Sequence, residues 1–316
     1  MLAAAQEEID QVINYFEERR ARDAGISTAG NHTFRATGIW RRLPVLFLLV
    51  TSACGNLSAV RDFANTSSSI TANEPVISGW PHTYDTAQLL AASPQVTASA
   101  SDLQTKLKEE AKAANADVPL ALEAGKALGL YMNVLAALAD DKLPDVSDQA
   151  SGISSSLNTL GVVNSNAEDA TAGLLKLIGI SLDAWRQRAI RDLVKDSNKD
   201  VQTIAKFLAA IANAVQKADK FAKSVTDQYW EATGTLSEDP GIQALLLRAE
   251  REDDQSYATR IAQADAAQAA FQKIAADHAM LATHAASLSS DEVRNALASD
   301  VPVLLSALRI FRAQLK

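Results

Sequence analysis

The sequence predicts an all-α fold, an elongated antiparallel bundle built on long, coiled-coil-like helices. Three observations lead there. Aromatic residues make up only 5% of 316 residues and Gly and Pro number 13 and 8, while alanine abounds, a composition that suits closely packed helices rather than sheets. Residue types that start helices recur along the chain. Two long apolar stripes also advance by alternating steps of three and four residues, the period of a helix seam.

In chain order, the first helix-like piece is "AQEEIDQVINYFEERRARDAG", where Ile9, Val12, Ile13 and Phe16 share one stripe and Gly25 is a natural stop. The next segment, "RRLPVLFLLVTSACGN", has Arg41 and Arg42 ahead of a short apolar run from Leu43 to Val50, then the small residues Thr51, Ser52 and Ala53. A membrane-spanning helix needs about 20 apolar residues, so this run is too short to span and has the layout of an export signal. Cys54 is the only cysteine in the chain. Read from its residues alone, it is either the end of that signal or a small buried hydrophobe.

The segment "VTSACGN" resembles the lipobox of bacterial lipoproteins, although Thr51 stands where Leu, Val or Ile is usual. The resemblance spans residues 43–56 and implies that Cys54 is acylated and becomes the N-terminus of the mature protein. It also implies that Gly55, where an Asp would favour retention in the inner membrane, directs the protein to the outer membrane, facing the periplasm. Several acyl chains hold a protein on a bilayer far more firmly than one. Residues 39–54 are then the signal peptide. Residues 1–38 form an N-terminal extension longer than a signal needs, the kind a mis-assigned start site leaves; the alternative is a cytoplasmic segment.

From Gly55 to Pro81 the chain is rich in Ser, Thr and Asn and shows no sustained period. It reads as a flexible tether with a reach of about 30 Å, docking near Trp80 and Tyr84. Residues 82–316 are the helical body. Ser101 with Gln104, Ser165 with Glu168 and Ser289 with Glu292 have the spacing of capping boxes, and Asp239 before Pro240 is a further helix start. Helices are expected over 83–92, 101–115, 119–139, 145–159, 166–195, 199–233, 239–287 and 290–315.

Val201, Ile204, Leu208, Ile211, Val215, Ala218, Ala222, Val225 and Tyr229 form an unbroken seam. Tyr257, Ile261, Ala264, Phe271, Ile274, His278, Leu281, Ala285 and Leu288 form a second. The short turn between the two helices predicts antiparallel neighbours.

Several function classes lose support at once. A formal charge of −8 disfavours nucleic acid as a partner. One cysteine makes neither a disulfide nor a CxxC metal site. His278 and His284 are six positions apart on a helix and cannot share a metal, and His278 reads as a satisfied seam histidine. "DSNKD" at 196–200 starts like a calcium loop, but Val201 and Phe207 occupy the positions that need Gly and Glu, so it reads as a helix break.

Two segments remain as candidates for contact. Val118 to Ala139 carries only Glu123 and Lys126 as charges, with Ala121, Gly125 and Gly129 as a smooth ridge and Leu130 and Leu135 on its apolar surface. Such a helix is either central to the bundle or suited to lipid. Glu250, Glu252, Asp253 and Asp254 interrupt the second seam, as a solvated stretch or an acidic contact surface. The expectation is a lipid-anchored binding or scaffold protein with a protein partner and no cofactor. The alternatives are a membrane-active bundle using 118–139, or an enzyme whose site leaves no motif.

Overall fold

The computed structural model describes residues 57–72, 75–93, 100–140, 152–153, 155–156, 183–233 and 239–312. Cys54, the signal-like segment, the N-terminal extension, most of the helix expected over 145–159 and the first part of that expected over 166–195 lie outside the described residues.

Among the described residues the fold is all-α, with no strand. The helices are α1 (Ser58–Thr71), the single turn α2 (Pro75–Ser78), α3 (Thr83–Ala91), α4 (Ala100–Ala139), α5 (Asp183–Thr233), α6 (Pro240–Thr283) and α7 (Asp291–Arg312). The 3-10 turns Trp80–His82 and Ala285–Ser287 lead into α3 and follow α6.

The frame is the α5–α6 hairpin. Gln202 bonds to the Ala275 carbonyl, Thr226 to Tyr257 and Trp230 to Asp253, so the helices run antiparallel as their seams predict. At 1.5 Å per residue they are about 75 and 65 Å long. Val201 through Val225 of the first seam are buried, and in the second Tyr257, Ala264, Phe271, Ile274, His278 and Leu281 are buried. Asp239 caps α6, its Oδ1 accepting from the Gly241 and Ile242 amides at 2.7 and 3.2 Å. The cap ahead of α7 is Ser290 rather than Ser289; its Oγ accepts from the Val293 amide at 3.4 Å.

Three expectations are corrected. The stretch 55–81, read as a tether, is largely folded: α1 buries Val60, Phe63, Ala64 and Ile70 on one stripe, and Trp80 and Tyr84 are core residues. Its hydroxyls bond back along the helix, Thr66 to the Asp62 carbonyl, Ser69 to Asn65 and Thr71 to Ser68, so a Ser/Thr-rich run is compatible with helix. The break expected between 115 and 119 is absent, and α4 runs through Pro119. The break expected at 196–200 is absent too, because Ser197 and Asn198 are engaged by neighbouring helices.

α4 packs on α5 and on α1, α3 packs between α4 and α5, and α7 covers α1 and α6. Arg61 lies 3.8 Å from Asp140, while Thr71 sits at Gly125 and Gly129, so α1 runs antiparallel to α4. The start of α1 thus shares one end of the bundle with the end of α4. Tyr131 of α4 is level with His278 of α6, which brings the Ala285–Ser287 turn to that same end.

Candidate functional site

The polar centre of the bundle lies where α4, α5 and α6 meet. Tyr131 Oη is 2.6 Å from His278 Nε2, His278 Nδ1 is 3.0 Å from Asn198 Oδ1, and Ser197 Oγ is 2.9 Å from Tyr131 Oη. With the Asn198 oxygen facing it, Nδ1 carries the imidazole proton and donates, so Nε2 accepts from the Tyr131 hydroxyl. Ser197 has one proton for two acceptors, the Tyr131 oxygen and the Leu193 carbonyl at 2.6 Å.

His278 is 0% exposed, and burial pushes its pKa down to about 3, so the ring is neutral. Burial likewise raises the Tyr131 phenol, outweighing the Ser197 hydrogen bond. Neither ring is free to gain or lose a proton near neutrality. The chain Ser197–Tyr131–His278–Asn198 therefore pins the register of three helices. Sequence reasoning placed His278 on the seam as a satisfied residue. Its partners were not visible, because Tyr131 and Asn198 lie 147 and 80 positions away.

A second polar cluster ties α3, α5 and α6. Asp219 is buried, and its Oδ1 accepts from Arg260 Nε at 2.8 Å and Thr83 Oγ1 at 3.2 Å. Burial raises its pKa despite the guanidinium. Arg260 also stacks on Tyr257, 4.4 Å from the ring centroid. A third joins α6 to α7 through Lys273, Asp277 and Asp300.

The residues singled out in the sequence fall into separate places. Gly125 and Gly129 seat the last turn of α1: a β-carbon at Gly129 would lie 2.5 Å from Thr71 Oγ1, while one at Gly125 would lie 3.4 Å from the Thr71 carbonyl. Leu135 is fully buried, and Leu130 is half-buried against Gly152. The apolar girth of 118–139 is accordingly used by neighbours on several sides, and no helix among the described residues is long and apolar enough to cross a membrane. Of the acidic residues, Asp253 accepts from the Trp230 indole at 3.0 Å, Asp254 pairs with Lys223 at 2.6 Å and Glu252 pairs with Arg248 at 2.7 Å. The first two brace α6 against the end of α5. Beyond them the first turns of α6 stand clear, exposing Ile242, Leu245 and Leu247.

Among the described residues the other two histidines, His82 and His284, make local contacts. His82 lies 3.0 Å from Asp85 on the surface, and His284 lies 3.9 Å from Glu292. Among the described residues no group of His, Cys, Asp and Glu is placed to hold a metal ion. No protein-family model, curated protein or solved structure matches the chain.

Proposed function

We propose that the chain is a lipid-anchored helical binding or scaffold protein, held through Cys54 to the outer membrane of a Gram-negative cell and facing the periplasm, where it engages a protein partner. The observation that carries this reading is the cysteine that follows the short apolar run, set four positions before Ser58, where α1 begins. With α1 starting at Ser58, little chain separates an anchor at Cys54 from the bundle. The end holding Ser58, Asp140 and the Ala285–Ser287 turn then faces the lipid.

The α5–α6 turn lies at the opposite end, about 65 Å away along α6. There Leu245 is 68% exposed beside Ile242, Leu247 and the charges of Glu250 and Glu252. Rigid bracing by Trp230 and Lys223 suits that tip to presenting a fixed surface to a partner.

Two measurements test the reading. Intact-mass analysis of membrane-extracted protein should show an acylated chain starting at Cys54, and Cys54→Ser should release the protein from membranes; an unmodified thiol on a chain retaining residues 1–53 overturns the anchor. A photo-crosslinker at Leu245 should capture a protein that one at Ala286 does not. Equal yields at both positions remove the tip from the proposal.

A further inference from the structure

The junction of α6 and α7 sets one ammonium between two carboxyl groups, one of them buried and the other partly exposed. Lys273 Nζ lies 2.6 Å from Asp300 Oδ2 and 3.3 Å from Asp277 Oδ1. Asp277 is 3% exposed, and its Oδ2 is buried and takes no donor. Two carboxylates gathered on one ammonium cannot hydrogen-bond to each other unless one is protonated, and the ammonium neutralises only one of them.

We propose that α7 is held on α6 by a proton shared between the carboxyl groups of Asp277 and Asp300 above Lys273, so that losing this proton loosens the C-terminal helix.

The surroundings of Asp277 support this. Burial is the largest influence on it and raises its pKa to about 7 even though Lys273 pulls the other way, with Asp300 adding to the rise. Burial also works to raise Asp300, but its hydrogen bonds to Lys273 and Asp277 outweigh that and hold it below the ordinary range, so Asp277 keeps the proton. The charged groups acting on Asp277 are Lys273 of its own helix and Asp300 of α7. On the α5 side of α6, the side chains bonded at this level are the uncharged Asn198 and Gln202. The charged residues of α1, Arg61 and Asp62, pair with each other, and α2 carries none. Among the described residues α7 packs chiefly on α1 and α6, burying Val293, Leu297, Leu304, Leu308 and Phe311, so it is able to loosen as a unit.

A carboxyl whose pKa is raised when α7 is docked stabilises docking fully below about pH 4, and that contribution is lost as pH rises to about 7. Hydrogen exchange of the full chain between pH 5 and 8, corrected for the intrinsic rate, tests this. The opening equilibrium of α7 amides should rise roughly tenfold per pH unit up to about pH 7 and then level off, while amides of 264–275 in α6 stay unchanged. Asp277→Asn should flatten the profile. Asp300→Asn, which leaves one carboxylate to one ammonium, should keep α7 protected at pH 8. Carbon-13 titration should place the Asp277 midpoint near neutrality. A midpoint near 4, an α7 profile independent of pH, or parallel loss of protection in α6 and α7 each overturns the proposal.

Discussion

The Tyr131 hydroxyl meets Nε2 of His278 at 2.6 Å across 147 positions of sequence, and in doing so satisfies the acceptor of a ring that is 0% exposed. An acceptor left bare at that depth costs its full desolvation, about 1 to 3 kcal/mol. Tyr131→Phe should therefore lower the unfolding free energy by that amount. Ser197→Ala should cost less, since Ser197 stands at the end of the chain. Urea denaturation of the two variants checks the order.

Protonation of His278 sets a pH dependence of definite sign. Its pKa is about 3 when folded and about 6.5 when unfolded, so between these values the unfolded chain holds a proton that the native ring lacks. The contribution is present above about pH 6.5 and is lost as pH falls toward 3. Relative to His278→Gln, the parent should lose about 3 kcal/mol between pH 6.5 and 4. Denaturant titrations at the two pH values measure the difference. The adjacent Asp277 acts in the opposite sense over an overlapping range, so the slope emerges from comparison with the variant rather than from the parent alone.

Two glycines on one ridge should respond differently to the same substitution. Gly125→Ala places a methyl in ordinary contact with the Thr71 carbonyl and adds helix propensity, so it should be neutral or stabilising by up to about 1 kcal/mol. Gly129→Ala drives its methyl into Thr71 Oγ1, which is already bonded to the Ser68 carbonyl, and should destabilise by about 1 to 3 kcal/mol. Thr71→Ala should rescue Gly129→Ala. A double-mutant cycle read by thermal melting gives the coupling.

Burial separates two leucines of the hairpin. Leu208 is fully buried on the α5 seam, and Leu208→Asp should unfold the bundle through lost packing and an unpaired interior charge. Leu245→Asp, at the exposed tip, should change stability by no more than about 0.5 kcal/mol. Circular dichroism melts of the pair distinguish a core seam from a surface stripe.

The α5–α6 pairing was legible because its seams are apolar apart from His278 and repeat over many turns. α1 was not, since three of its seven buried residues are Thr66, Ser67 and Thr71, side chains that read as loop until a glycine ridge allows close approach. The ridge itself was visible at Gly125 and Gly129, but what lay on it was not. Ser197 and Asn198 are poor helix formers and suggested a stop; they remain helical because their side chains are held by Tyr131 and His278, partners that no local window contains. Asp253 and Asp254 read as solvated charge, yet they brace the hairpin through Trp230 and Lys223. Local period reports burial well where the buried atoms are carbon, and poorly where hydroxyls and amides fill the interface.

The uninterrupted run of α5 through Ser197 and Asn198 has a consequence for how the molecule assembles. Locally, those two residues favour fraying, and the side chains that hold them come from opposite directions in the sequence, one long before and one long after. The α5–α6 hairpin can form early from near-neighbour contacts, but its central turn cannot become rigid until α4 has arrived with Tyr131. That turn is a late-closing keystone, and a chain lacking α4 should fold into a hairpin that is supple in the middle rather than at its ends.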